Sequence, residues 1–129
     1  MSGTNFIKNY LSIKNVILNV SGVIFRADIL KQALESLGEK LDSYKVGGDW
    51  LLYLEICRLG GSVSYLNKAL NSHRRHEDSV THSLAAKKHM EEIAELQDYA
   101  ASFVKLTKKT QDNQQKVLTE VEAYLAKGE

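Results

Sequence analysis

Three stretches of this chain hold residues that could do chemistry. In Gly47-Gly48-Asp49-Trp50 a carboxylate follows two glycines and opens an apolar run. Asp is a favoured helix cap, a role that contributes about 1 kcal/mol. The same spacing lets the backbone turn sharply and leaves Asp49 facing a cleft, where it could act as a general base. A helix N-terminus would lower its pKa by favouring the charge, whereas an apolar wall such as Trp50 would raise it by desolvation. The residues alone leave both roles open and favour the cap.

The second stretch is His73-Arg74-Arg75-His76-Glu77-Asp78. Two His near acids can hold zinc or manganese, but on an extended chain residues three apart face opposite sides. No metal ligand is therefore assigned, His76 being the one candidate. Arg74 and Arg75 suit a phosphate better, because guanidinium binds it bidentately; a solvated charged hairpin is the plainer alternative. The third stretch, Asn15 to Gly22, places Asn19 and Ser21 where they can serve as turn residues or hydrogen-bond a polyhydroxylated ligand. Cys57 is the single cysteine and sits in an apolar run, so a small buried hydrophobe is the expected role.

Absences narrow the field further. There is no GxxxxGK[ST] phosphate loop, no GxGxxG fingerprint, and no pair of aspartates separated by one residue to hold a metal–diphosphate. The net charge of +1 is spread along the chain, without the concentrated basic face that nucleic-acid binding requires. No run approaches the ~20 apolar residues of a membrane span, and Met1-Ser2-Gly3-Thr4-Asn5 has no signal-peptide pattern. Cytoplasmic residence is the default expectation, with a peripheral place on the inner membrane face open.

The 129 residues, 43% hydrophobic and 26% charged, suit one modest soluble domain. Helical spacing of Phe6, Ile7, Tyr10 and Leu11 predicts a helix over 4–13, capped by Thr4 or Asn5. Val16 to Phe25 is rich in β-branched residues, and its second half reads as a buried strand. Asp28 can cap a helix whose Ile29, Leu30, Ala33, Leu34 and Leu37 share a face, ended by Gly38. Glu39 to Val46 reads as a loop. The helix from Trp50 to Leu59 is apolar nearly all round and should be buried between layers, with Gly60-Gly61 as its stop. Ser62 to Leu66 alternates with period two and reads as a strand, as does Ala69 to Arg74. From Ser83 one long amphipathic helix is expected, with Glu91, Glu92 and Glu95 on its polar side and a break near Asp112-Asn113. The expected fold class is α/β, or an α+β fragment, mostly helical with a few short strands. A body over 1–82 is followed by a helical tail over 83–129.

Taken in order, Asn15-Val16-Ile17-Leu18-Asn19-Val20-Ser21-Gly22-Val23-Ile24-Phe25-Arg26, Gly48-Asp49-Trp50-Leu51-Leu52-Tyr53, Gly60-Gly61-Ser62-Val63-Ser64-Tyr65 and Leu70 to Thr81 form a pattern. It resembles the C-terminal, acceptor-side half of family 2 glycosyltransferases of the GT-A fold, over roughly residues 5–100. The resemblance implies inverting transfer of a sugar from a nucleotide-diphosphate sugar to a hydroxyl acceptor, glycan or lipid-linked, in cell-surface polysaccharide synthesis. It makes Asp49 the catalytic base and places Asn19, Ser21 and Trp50 by the sugars. His73, Arg74, Arg75 and His76 then match the loop over the departing diphosphate. Gly48 stands where the family usually has an acid. The half that binds nucleotide and a divalent metal (manganese or magnesium) has no counterpart in these residues. The chain alone is thus expected to hold no cofactor and to be inactive. An alternative expectation is a non-catalytic interaction module that forms a homo-oligomer through its tail helices.

Overall fold

The computed structural model describes residues 1–70, 72 and 86–127. Among them the chain is mostly helical: α1 (Gly3–Phe6), α2 (Ala27–Leu37), α3 (Gly48–Leu59), α4 (Ala86–Ala101) and α5 (Lys108–Lys127). Helix α3 lies at the centre, in contact with α1, α2 and α4. Its Trp50, Leu51, Tyr53, Leu54, Glu55 and Cys57 are all buried, as an all-round apolar helix requires.

Ser2 caps α1 by accepting the Asn5 N–H at 3.2 Å. The chain then runs on as a π turn over Ile7–Leu11, closed by the Ser12 N–H on the Ile7 carbonyl at 2.8 Å. That wider turn puts Ile7 and Leu11 side by side in the core. Gly3 is required by close approach: a Cβ there would stand 2.4 Å from the Cys57 carbonyl oxygen. Helix α2 begins after Arg26, and Asp28 lies inside the first turn, paired with Arg26 at 2.6 Å, rather than capping it. Gly38 ends α2 with φ +51° and leads into a 3-10 turn over Gly38–Ser43, where the sequence predicts only loop. Gly60 and Gly61, at φ +120° and +90°, stop α3 as expected.

The predicted strands do not form among the described residues. Among the described residues the hydrogen bonds around Val16–Phe25 include the Ile17 N–H to Asn15 Oδ1 and a 3-10 turn over Val20–Gly22 closed by the Val23 N–H on the Val20 carbonyl. The period-two signal is nevertheless real. Ile17, Val23 and Phe25 pack on the core, while Leu18 and Ile24 between them are 91% and 100% exposed. The segment is extended and one-sided, and no ladder forms on it among the described residues, since β-propensity alone supplies no neighbour. Likewise Ser62–Leu66 makes a single antiparallel bridge, Ser2 to Ser62, and then leaves Tyr65 88% exposed. Asn71, His73 and Arg74 of the Ala69–Arg74 segment lie outside the described residues.

Helix α4 belongs to the core. Ile93, Leu96, Ala100 and Val104 join Ile7, Leu11, Trp50 and Leu54 in one cluster, and Leu118 and Val121 of α5 pack against it. Side-chain amides bind the helices to the N-terminal turn: Gln97 donates to the Ile13 carbonyl at 2.9 Å and Gln114 to the Ser12 carbonyl at 2.6 Å. The break between the last two helices falls at 102–107, before Asp112-Asn113. Thr107 sets the start of α5 by accepting the Thr110 N–H at 3.1 Å, which leaves Asp112 and Asn113 inside the helix. No helix among the described residues is long and apolar enough to cross a membrane.

Candidate functional site

Gly47, and not Asp49, is the N-cap residue of α3; its carbonyl accepts the first helical hydrogen bond, from Leu51 at 2.9 Å. Asp49 stands in the first turn, half-buried, and its Oδ1 accepts the Trp50 N–H at 2.8 Å. A cleft of about 270 Å³ opens in front of it, with Lys14, Asn15 and His89 on its polar side and Trp50, Ile93 and Val121 on its apolar side. Burial raises the Asp49 carboxyl above the usual range, opposed by hydrogen bonds from the Trp50 N–H and the Asn15 side chain. Desolvation outweighs these hydrogen bonds. A carboxylate so placed can accept a proton from a hydroxyl bound in the cleft, with Asn15 holding its orientation.

Trp50 lines the cleft, but its indole N–H is taken up by the Leu11 carbonyl at 2.9 Å, so the ring offers a wall and not a donor. Asn19 and Ser21 do not line this cleft; the Ser21 hydroxyl donates to Asn19 Oδ1 at 2.7 Å. Asn15, four residues earlier, takes the place expected of them. Its Oδ1 accepts the Ile17 N–H, which turns the amide nitrogen toward Asp49. His73, Arg74, Arg75 and His76 lie outside the described residues. Cys57 is buried with its thiol pushed up to about 11 by desolvation, as expected for a packing residue and not a nucleophile.

Two groups on α4 complete the site. His89 faces the cleft, its pKa lowered by burial against an opposing pull from Glu92, and its Nδ1 has no hydrogen-bond partner among the described residues. Glu92 is 1% exposed. Its Oε1 accepts the N–H groups of Lys45, Val46 and Gly47 at 2.9, 3.0 and 3.1 Å, and its Oε2 accepts Lys45 at 3.1 Å. The expectation that Glu92 sits on the polar side of its helix is therefore corrected. A signal was present: Glu92 adjoins Ile93 and precedes Leu96 by four, which places it on the apolar stripe.

A second buried carboxylate braces the frame behind the site. Glu55, fully buried, receives Ser36 of α2 at 2.7 Å, Tyr99 of α4 at 2.6 Å, and both Arg58 Nε and Nη2. The Arg58 bonds, with those from Tyr99 and Ser36, hold its carboxyl down to about 2 against desolvation. Here too a signal existed, since one acid inside an otherwise apolar helix must be paired.

Among the described residues no group of three or more His, Cys, Asp or Glu is placed to hold a metal ion. Compared with protein-family models, curated proteins and solved structures, the chain matches none.

Proposed function

We propose that this chain is the acceptor-side part of an inverting glycosyltransferase, with Asp49 as its general base. The observation that carries the reading is the Asp49 carboxylate itself. It is not consumed as the cap of α3, it faces a cleft, and burial keeps its pKa raised. In the reaction the acceptor hydroxyl oxygen attacks the anomeric carbon, its proton passes to Asp49, and the bond to the diphosphate breaks with the electron pair leaving on the nucleotide. The configuration at that carbon inverts. Asn15 orients the base, and Trp50 forms a wall of the acceptor cleft. Arg74, Arg75 and His76 keep the role the resemblance gives them, offsetting charge on the leaving diphosphate.

The one-sided extended segment is compatible with this reading. Leu18, Val20 and Ile24 are exposed on a stretch of strand-like sequence. In this reading a nucleotide-binding half covers them and completes a GT-A sheet. It also supplies the divalent ion, for which the described residues offer no ligand cluster. Cell-surface polysaccharide synthesis, with a glycan or lipid-linked acceptor, is the proposed setting. The packing of Leu118 and Val121 onto the chain's own core weighs against the alternative of a free oligomerisation tail.

Titration calorimetry of the chain with UDP- and dTDP-sugars in the presence of manganese tests the division of labour. No binding heat is expected at donor concentrations up to the millimolar range. Micromolar affinity would contradict the proposal, because the donor site would then lie within these residues.

A further inference from the structure

We infer that Glu92 of α4 is the positioning residue for Asp49, so that the last helices form part of the site's machinery instead of an appendage to it. The inference rests on the reading of Asp49 as the base and adds a residue that sets where that base stands.

Three observations carry it. A carboxylate with 1% exposure is placed against bare backbone, which is unfavourable unless its oxygens are saturated with donors. The donors are consecutive: the N–H groups of Lys45, Val46 and Gly47 converge on one oxygen, Oε1, within 3.1 Å. Three successive N–H groups aimed at one point fix the backbone of that segment, as in the nests that bind anions elsewhere. Here the anion is built into the protein. Gly47, the last of the three, is also the cap of α3, and Asp49 follows two residues later.

Leu96, one helical turn beyond Glu92, closes the segment from the same helix. A Cβ on Gly47 would lie 2.4 Å from Leu96 Cδ1, so any larger residue there requires the Leu96 side chain to shift. Helix α4 thus grips Gly47 from two sides, by hydrogen bonding through Glu92 and by packing through Leu96. Whatever fixes Gly47 fixes the first turn of α3 and with it the depth of the Asp49 carboxylate in the cleft. The titratable groups facing Asp49 are Lys14, Tyr53 on α3, and His89 and Glu92 on α4. The causes acting on Asp49 are burial, which raises its pKa, and hydrogen bonding, which lowers it. In this inference Glu92 acts on Asp49 through the backbone it holds.

The experiment follows the Asp49 carboxyl carbon by NMR through a pH titration of the whole chain. It compares the unaltered protein with Glu92→Gln, Glu92→Asp and Glu92→Ala. In the unaltered protein Asp49 should titrate above the ordinary Asp value of about 3.9. Glu92→Gln keeps an oxygen on the three N–H groups, so the elevated value should persist. Glu92→Asp keeps the charge but withdraws the oxygen by one methylene, and Glu92→Ala removes it; both should return Asp49 toward the ordinary value. If Glu92→Ala does not fold, the contrast between the Gln and Asp variants carries the test. An elevated Asp49 in a folded Glu92→Asp or Glu92→Ala protein would overturn the inference, as would an ordinary value, or loss of folding, in Glu92→Gln. Transfer need not occur for this readout, so a failure here is separable from a failure of the proposed reaction.

Discussion

Asp49→Asn is expected to leave this chain at least as stable as before, while removing transfer from the complete enzyme. The two effects share one cause. Burial raises the folded-state pKa of Asp49 above its unfolded value, so the fold disfavours the charged form. That stability penalty is absent below the unfolded pKa and fully present once pH rises above the folded one. An uncharged Asn escapes it at neutral pH, and its Oδ1 can still accept the Trp50 N–H. A purely capping role would also leave stability nearly unchanged, because Asn caps a helix about as well as Asp, so the transfer rate decides between the two roles. In the complete enzyme, losing a general base should lower kcat by about 10²–10⁴-fold with donor binding nearly unchanged. Thermal melts of the chain and steady-state rates of the parent enzyme check the two halves. A variant that retains turnover would return Asp49 to a purely structural role.

The second large effect is expected at Glu55. Its folded-state pKa of about 2 lies below the ordinary Glu value of 4.5, so its contribution is fully present above the unfolded pKa. It is lost as pH falls through the folded value. A shift of that size corresponds to about 3 kcal/mol at neutral pH, a large part of the 5–15 kcal/mol that typically holds a domain together. Glu55→Ala should therefore lower the urea midpoint sharply at pH 7, and it also takes this acceptor from the Tyr99 and Ser36 hydroxyls. Between pH 4.5 and 2 the unaltered chain should lose stability steeply while the variant changes far less over the same interval. Equal pH slopes for the two proteins would show that Glu55 carries no linked protonation.

The helices were legible in the sequence wherever an apolar stripe met a recognisable stop, as with α2 at Gly38 and α3 at Gly60. The strands were not, for a physical reason. Val16–Phe25 has the right residues and the right alternation, yet a strand is defined by its neighbour, and no neighbour pairs with it among the described residues. Asp49 was legible as an acid beside two glycines, but its distinction from a cap depended on Gly47 taking the cap position. Asn15 and Asn19, four residues apart, share a face of an extended chain, and which of them reaches the cleft is set by tertiary packing that the sequence does not display. Glu92 was passed over because its neighbours Glu91 and Glu95 are polar-face residues and local composition does not separate the three. Their angular positions do.

The central claim is that Asp49 and its cleft receive the acceptor hydroxyl. The most direct measurement is an amide NMR titration of the chain, first with simple glycosides at millimolar concentration and then with UDP alone. The account predicts that glycosides shift the resonances of Asn15, Asp49, Trp50 and His89 together and that UDP leaves them unmoved. Shifts at these four residues from UDP, or none from any glycoside tried, would contradict it.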